Sequence, residues 1–205
     1  MVDDPAAIVH RRRLKRHLNI WRIAAVMAAI SAALVALSDY DDIGFTEHVA
    51  RLQVSGIILN NPARNGALRE AARRDAVKAL IVEIDSPGGT FVGGEALYNE
   101  LRSLAQVKPV VAVMGGTATS AAYMAAIGTS WVFARNGTVT GSIGVIMQTA
   151  DITGMLEKLG IKPETVKSGP LKAQPNPMEP FLPAARDATE EVVGDLYAIF
   201  VDMVA

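Results

Sequence analysis

No cysteine occurs in the chain of 205 residues. That excludes disulfides, thiol nucleophiles, thiolate zinc sites, iron–sulfur ligation and a lipid anchor on an N-terminal cysteine. Histidine is almost as scarce: with only His10, His17 and His48 present, no imidazole exists from residue 49 to residue 205. A Ser-His-Asp triad would need His48 as its base, and a three-histidine zinc site is improbable. Net charge is also small, −1 in all, which argues against binding nucleic acid by general phosphate attraction. Neither a GxGxxG nor a GxxxxGK[ST] loop is present, so no nucleotide-binding signature stands out. What remains is 50% hydrophobic with 17 Gly and 10 Pro, the composition of a folded chain of about one domain.

The small net charge conceals an asymmetry. Arg11, Arg12, Arg13, Lys15, Arg16 and Arg22 against Asp3 and Asp4 give residues 1–22 a charge of +4, and the remainder carries −5. Immediately after this basic arm, Ile23 to Leu37 reads IAAVMAAISAALVAL without a charge, and Asp39, Asp41 and Asp42 follow. Positive residues before the run and acids after it predict a signal anchor over 23–38, the arm in the cytoplasm and the rest translocated. Fifteen residues at a 1.5 Å rise cover about 22 Å, short of the roughly 30 Å hydrocarbon core, so Trp21 and a snorkelling Arg22 would have to contribute. A cleaved signal peptide and a buried Ala-rich helix are the alternatives.

Past a polar linker at 39–47, residues 48–205 alternate β-branched runs with helical patterns and show no internal linker or repeat. Strands are expected at 52–59, 79–85, 110–114, 131–134 and 144–148, with helices at 67–77, 95–105 and 120–127. Strands separated by such helices make βαβ units with a mostly parallel sheet, whose sites lie at the strand C-termini. A last helical pattern, 187–205, ends at Ala205 without a Gly, Asn or Pro stop, as though a C-terminal part were missing.

Three segments at those strand ends could carry chemistry. Asp85-Ser86-Pro87-Gly88-Gly89-Thr90 follows the strand ALIVEI and exposes backbone N–H groups suited to an oxyanion hole, or is an ordinary tight turn. Gly115-Gly116-Thr117-Ala118-Thr119-Ser120 follows VVAVM and sets Ser120 at a helix N-terminus, as a nucleophile or simply as a cap. Thr140-Gly141-Ser142-Ile143-Gly144 is a glycine-spaced turn whose hydroxyl could orient a base. With no histidine nearby, the base would be a carboxylate or a lysine neutralised by burial. Among six lysines in the domain, Lys78, Lys108, Lys158 and Lys162 read as solvated, whereas Lys167 and Lys172 flank Ser-Gly-Pro-Leu ahead of a proline-rich, acid-poor stretch. Acting near neutral pH would require such a lysine to drop about 3 units from its reference value near 10.4.

DSPGG, GGTATSAAYMAA, TGSIGV and VKSGPLKA, in that order and spacing, resemble the signal peptide peptidase A family of bacterial Ser/Lys membrane proteases, also called protease IV. The likeness covers residues 48–205. It implies a Clp/crotonase-like α/β fold behind a single N-terminal transmembrane helix, attachment to the bacterial plasma membrane with the catalytic domain outside the cytoplasm, and hydrolysis of remnant signal peptides. It further implies a homo-oligomeric ring in which the lysine can come from a neighbouring copy, with no metal, cofactor or nucleic acid. Matched by position, Ser120 is the nucleophile, Lys172 the general base and Ser142 the hydroxyl bonded to that lysine. Gly89 and the N–H of Ala121 form the oxyanion hole, with Gly88 as the alternative donor, and Lys167 has no chemical role. The chain departs from the family in carrying Ala121-Ala122-Tyr123-Met124 where members often have Gly-Gly-Tyr-Tyr. A crotonase-type acyl-CoA enzyme and a membrane scaffold of the stomatin-associated protease kind are the rival readings.

Overall fold

The computed structural model describes residues 5–41 and 46–205, with side chains at 15–33 and from 46 onward. The chain divides into two compact units, Met1–Glu47 and His48–Ala205. The first contains helix α1 (Pro5–Asp41), which continues through the basic arm and the apolar run and takes up the start of the expected linker. Trp21, Ile23, Val26, Met27 and Ile30 are all exposed on it. Among the described residues no helix is long and apolar enough to cross a membrane; the expected span at 23–38 falls on α1, and its side chains past residue 33 lie outside the described residues.

The second unit is a parallel α/β structure. Strands β1 (His48–Ile58), β2 (Val77–Gly89), β3 (Val110–Thr119) and β4 (Trp131–Phe133) lie side by side in chain order, and β5 (Val139–Gly141) pairs with the end of β3. Every pairing is parallel. Helices α2 (Pro62–Arg73), α3 (Phe91–Ala105) and α4 (Ala121–Ile127) connect the strands, as parallel pairing demands. Strand alternation explains how they cover the sheet: in β2, Leu80, Val82 and Ile84 are buried while Lys78 and Asp85 are exposed. The inward set packs with Val110, Ala112 and Met114 of β3, Leu97, Leu101 and Leu104 of α3 and the alanines of α4. Burying each of the larger aliphatic side chains is worth about 1.5–3 kcal/mol.

Most expected elements are present with longer bounds. Helix α2 starts at Pro62, five residues before the expected 67, because Asn61 accepts a hydrogen bond from the Arg64 N–H and Pro62 opens the first turn, a favourable helix start. Two expectations fail. No strand forms at 144–148; Gly144, Val145, Ile146 and Met147 line a cleft instead. Lys108 is half-buried rather than solvated, its ammonium donating to the carbonyls of Ala71 and Arg74 near the end of α2. Beyond β5 come the short helix α5 (Thr153–Lys158) and the long helix α6 (Pro183–Val204). Phe200 of α6 is buried against Tyr98 of α3 and Met124 of α4, which places α6 against α3 and α4.

Candidate active site

Strand β3 passes into α4 through a single residue. That residue is Ser120, with φ 54° and ψ −122° and no side-chain capping bond. Ser120 thus stands at the N-cap position of α4, but its Oγ does not satisfy the helix N-terminus. A non-glycine residue at positive φ is costly, typically 1–3 kcal/mol, and persists where surrounding structure imposes it. Here the restraints are visible. The Ser120 N–H donates to the carbonyl of Gly141 at 2.8 Å and its carbonyl accepts from Met124 N–H at 2.9 Å. Thr119 Oγ1 donates to the Pro87 carbonyl at 2.9 Å, and Thr140 Oγ1 donates to the Ala118 carbonyl at 3.0 Å.

The same restraints bring the other segments to Ser120. Pairing of β5 with β3 delivers Ser142, itself at φ 52°. Strand β2 delivers the glycine pair. Gly88, at φ +113°, lies against Ser120 so closely that a Cβ on it would fall 2.8 Å from Ser120 Cβ and 3.2 Å from Oγ. Gly89 is equally confined from the other side, where a Cβ would come within 1.9 Å of the Ile58 carbonyl oxygen. Gly88 is held to glycine by the approach of Ser120 and the Thr119 carbonyl, Gly89 by the Ile58 backbone.

Ser86, read from the sequence only as part of the turn, holds this loop in place. It is wholly buried; its Oγ donates to the Gly56 carbonyl at 2.6 Å and accepts the Gly88 N–H at 3.1 Å. The Gly88 N–H is thus engaged within the protein. The presence of a small hydroxyl residue inside DSPGG was the available signal.

Ser120, Ser142, Gly88, Gly89 and Ala121 all line one cleft of about 700 Å³. Apart from Thr90 its walls are otherwise apolar, including Phe91, Met124, Val145 and Ile146, with Val193, Leu196 and Phe200 from α6. Those α6 residues were not foreseen as part of the site, although their spacing of three and four marks one helix face. Lys172 is not brought there. It is exposed and outside the residues that line the cleft, so within one chain the amine does not sit in the dry pocket the sequence suggested.

Lys167 has a different fate. Its ammonium pairs with Glu179, with 14% and 22% of the two side chains exposed, and Gln174 Nε2 donates to the same carboxylate oxygen at 2.9 Å. The hydrogen bond from Lys167 holds the Glu179 carboxyl below its usual range, against an opposing effect of burial and with Thr165 and Asn176 adding to the lowering. The stretch after Lys172 is therefore not free of acids where it matters. Among the described residues no cluster of three or more His, Cys, Asp or Glu could hold a metal.

Known proteins are similar to this chain in sequence. The model of peptidase family S49 matches residues 102–205, a segment that includes Ser120, Ser142 and Lys172. A candidate protease of Synechocystis is 35% identical over 159 residues, covering 77% of this chain and 57% of its own. A candidate signal peptide peptidase SppA of Enterococcus faecium is 30% identical over 171 residues, covering 77% and 50%. The chloroplast serine protease SPPA of Arabidopsis thaliana is 35% identical over 117 residues, 55% of this chain and 17% of that one. The chain spans about half the length of the first two relatives. By the family match and these relatives, the chain belongs to peptidase family S49, the family of SppA-type proteases.

Proposed function

We propose that the protein is a serine endopeptidase with a Ser/Lys dyad, acting on remnant signal peptides released from secreted proteins. The observation that carries the proposal is the setting of Ser120: a serine at positive φ whose hydroxyl makes no capping bond, in a mostly apolar cleft lined by Gly88 and Gly89, with the Gly88 backbone directly against it. A strained serine at a strand-to-helix turn is presented to a ligand, not used to stabilise the helix.

In the proposed reaction the neutral Lys172 amine takes the Ser120 hydroxyl proton as Oγ attacks a peptide carbonyl. The carbonyl oxygen becomes an oxyanion that accepts hydrogen bonds from Gly89 N–H and Ala121 N–H, each such donor being worth about 3–4 kcal/mol in the transition state. Collapse breaks the C–N bond, the lysine returning its proton to the departing amine. Water, deprotonated by the same lysine, then hydrolyses the acyl-enzyme. Ser142 orients the amine. Because Lys172 is exposed and lies outside the cleft of its own chain, it acts on Ser120 of a neighbouring copy in a homo-oligomeric ring, where the copies shield it from water. Remnant signal peptides are apolar, which suits the cleft walls. Helix α1, basic in its first half and apolar after it, attaches the protein to the plasma membrane in the single-pass orientation that its charges favour.

An acyl-CoA reaction of the crotonase type fits less well. Among the described residues lining the cleft there is no carboxylate to serve as its acid or base. The test is cleavage of denatured casein and of a synthetic signal peptide by the full-length protein. Ser120→Ala and Lys172→Ala are each expected to reduce it to background, and Ser142→Ala to slow it. Wild-type cleavage by either of the first two variants would reject the dyad.

A further inference from the structure

Lys167 and Glu179 close a loop. They stand 12 positions apart, and Lys172 lies between them. Their ion pair is largely out of solvent, and Gln174, two residues beyond Lys172, bonds to the same carboxylate. Inside the loop the Lys172 N–H donates to the Gly169 carbonyl at 3.2 Å and the Gln174 N–H to the Leu171 carbonyl at 3.3 Å. Asn176 Nδ2 donates to the Ala173 carbonyl at 3.2 Å, and the Met178 N–H donates to Asn176 Oδ1 at 2.9 Å. Pro170, Pro175 and Pro177 further restrict the backbone. The main chain on both sides of Lys172 is therefore fastened while its side chain is left exposed.

Such fastening is poorly explained by stability alone. An ion pair withdrawn from water recovers its desolvation cost only in part, so its presence is weak evidence of a contribution to stability. A general base, by contrast, is highly sensitive to position: it must come within hydrogen-bond reach of the proton it removes. We infer that Lys167, Glu179 and Gln174 form a clip that positions the Lys172 amine for Ser120, so that Lys167 and Glu179 are positioning residues for the reaction. The inference rests on Lys172 being the general base.

The experiment measures kcat, KM and the unfolding midpoint of the full-length protein with a fluorogenic signal-peptide substrate. Variants are Lys167→Met, Glu179→Gln, the charge swap Lys167→Glu with Glu179→Lys, and Lys172→Ala for reference. A misplacement near 1 Å can cost up to a hundredfold, and each single variant is expected to lose about tenfold in kcat with KM unchanged. The swap is expected to recover most of that loss, because the pair is rebuilt and the buried, unpartnered Gln174 Oε1 can accept from an ammonium placed at 179. A merely structural pair would move the unfolding midpoint without a selective loss of kcat. Wild-type kcat in both singles while Lys172→Ala is inactive overturns the clip and leaves the dyad standing, as does a folded swap no faster than the slower single. Cleavage surviving in Lys172→Ala instead overturns the base assignment, and the clip with it. Should a single variant fail to fold, Gln174→Met carries the test: a smaller, kcat-only loss supports the clip and an unchanged kcat overturns it.

Discussion

Gly88 and Ser120 are in such close approach that the smallest side chain on the glycine would press on the serine it faces, 2.8 Å from Cβ to Cβ. The relationship makes DSPGG and the serine turn one unit. Gly88→Ala should therefore damage catalysis more than folding. Its positive φ adds about 1–3 kcal/mol of strain, and the methyl must displace Ser120 or the Thr119 carbonyl, 2.9 Å away. Peptide cleavage is expected to fall to near background in a protein that still unfolds cooperatively. Wild-type turnover would show that Ser120 tolerates displacement and is not the reacting group.

Gly89→Ala makes the opposite prediction. There the methyl meets backbone, the Ile58 carbonyl oxygen at 1.9 Å, across the β1–β2 ladder. Forced overpacking of this kind costs on the order of 3 kcal/mol, which for a chain of this size lowers the unfolding midpoint by about 6–12 °C. Calorimetry on the purified variant measures it, and a midpoint equal to wild type would contradict the packing described.

Ser86→Ala leaves the Gly56 carbonyl without its 2.6 Å donor and the Gly88 N–H without its acceptor. An unsatisfied buried group costs about 1–3 kcal/mol. A loss of stability in that range, accompanied by a fall in kcat as the glycine loop loosens, is expected; Ser86→Thr should recover part of both if the hydroxyl can be accommodated. Equal stability of Ser86→Ala and wild type in urea titration would remove the role given to this residue.

The Glu179 carboxyl is held below its ordinary value of 4.5 in the folded chain, chiefly by Lys167. A depressed carboxyl contributes stability that is fully present above the unfolded value and lost as pH falls through the folded one. The unfolding midpoint of wild type should therefore approach that of Glu179→Gln as pH drops below about 4.5, with the difference constant at higher pH. Parallel curves down to the lowest pH at which the protein folds would contradict the pairing.

Much of this architecture could be read from residue order. β-branched runs separated by helical periods foretold the parallel sheet, because each strand buried on one face needs a helix to return the chain. The site was legible where backbone chemistry dictates residue type: Gly88, Gly89, Ser120 and Ser142 fall in one cleft. Elements that depend on distant partners were not legible. Residues 144–148 have strand composition but line the cleft without forming a strand, and Val193, Leu196 and Phe200 reach the cleft only because α6 folds back on α4. Ser86 and Glu179 were passed over since their roles lie in hydrogen bonds and ion pairs across the fold, which spacing does not encode. Lys172 matched its motif, yet motif position says nothing of the surroundings an amine will meet.

The dyad itself is tested most directly by mass spectrometry of the full-length protein after brief exposure to a fluorophosphonate, which phosphonylates only an activated serine. The account predicts a single adduct on Ser120 in wild type and adduct formation abolished or strongly slowed in Lys172→Ala, with that variant folded. An adduct on another serine, or labelling of Ser120 at the wild-type rate without Lys172, would contradict it.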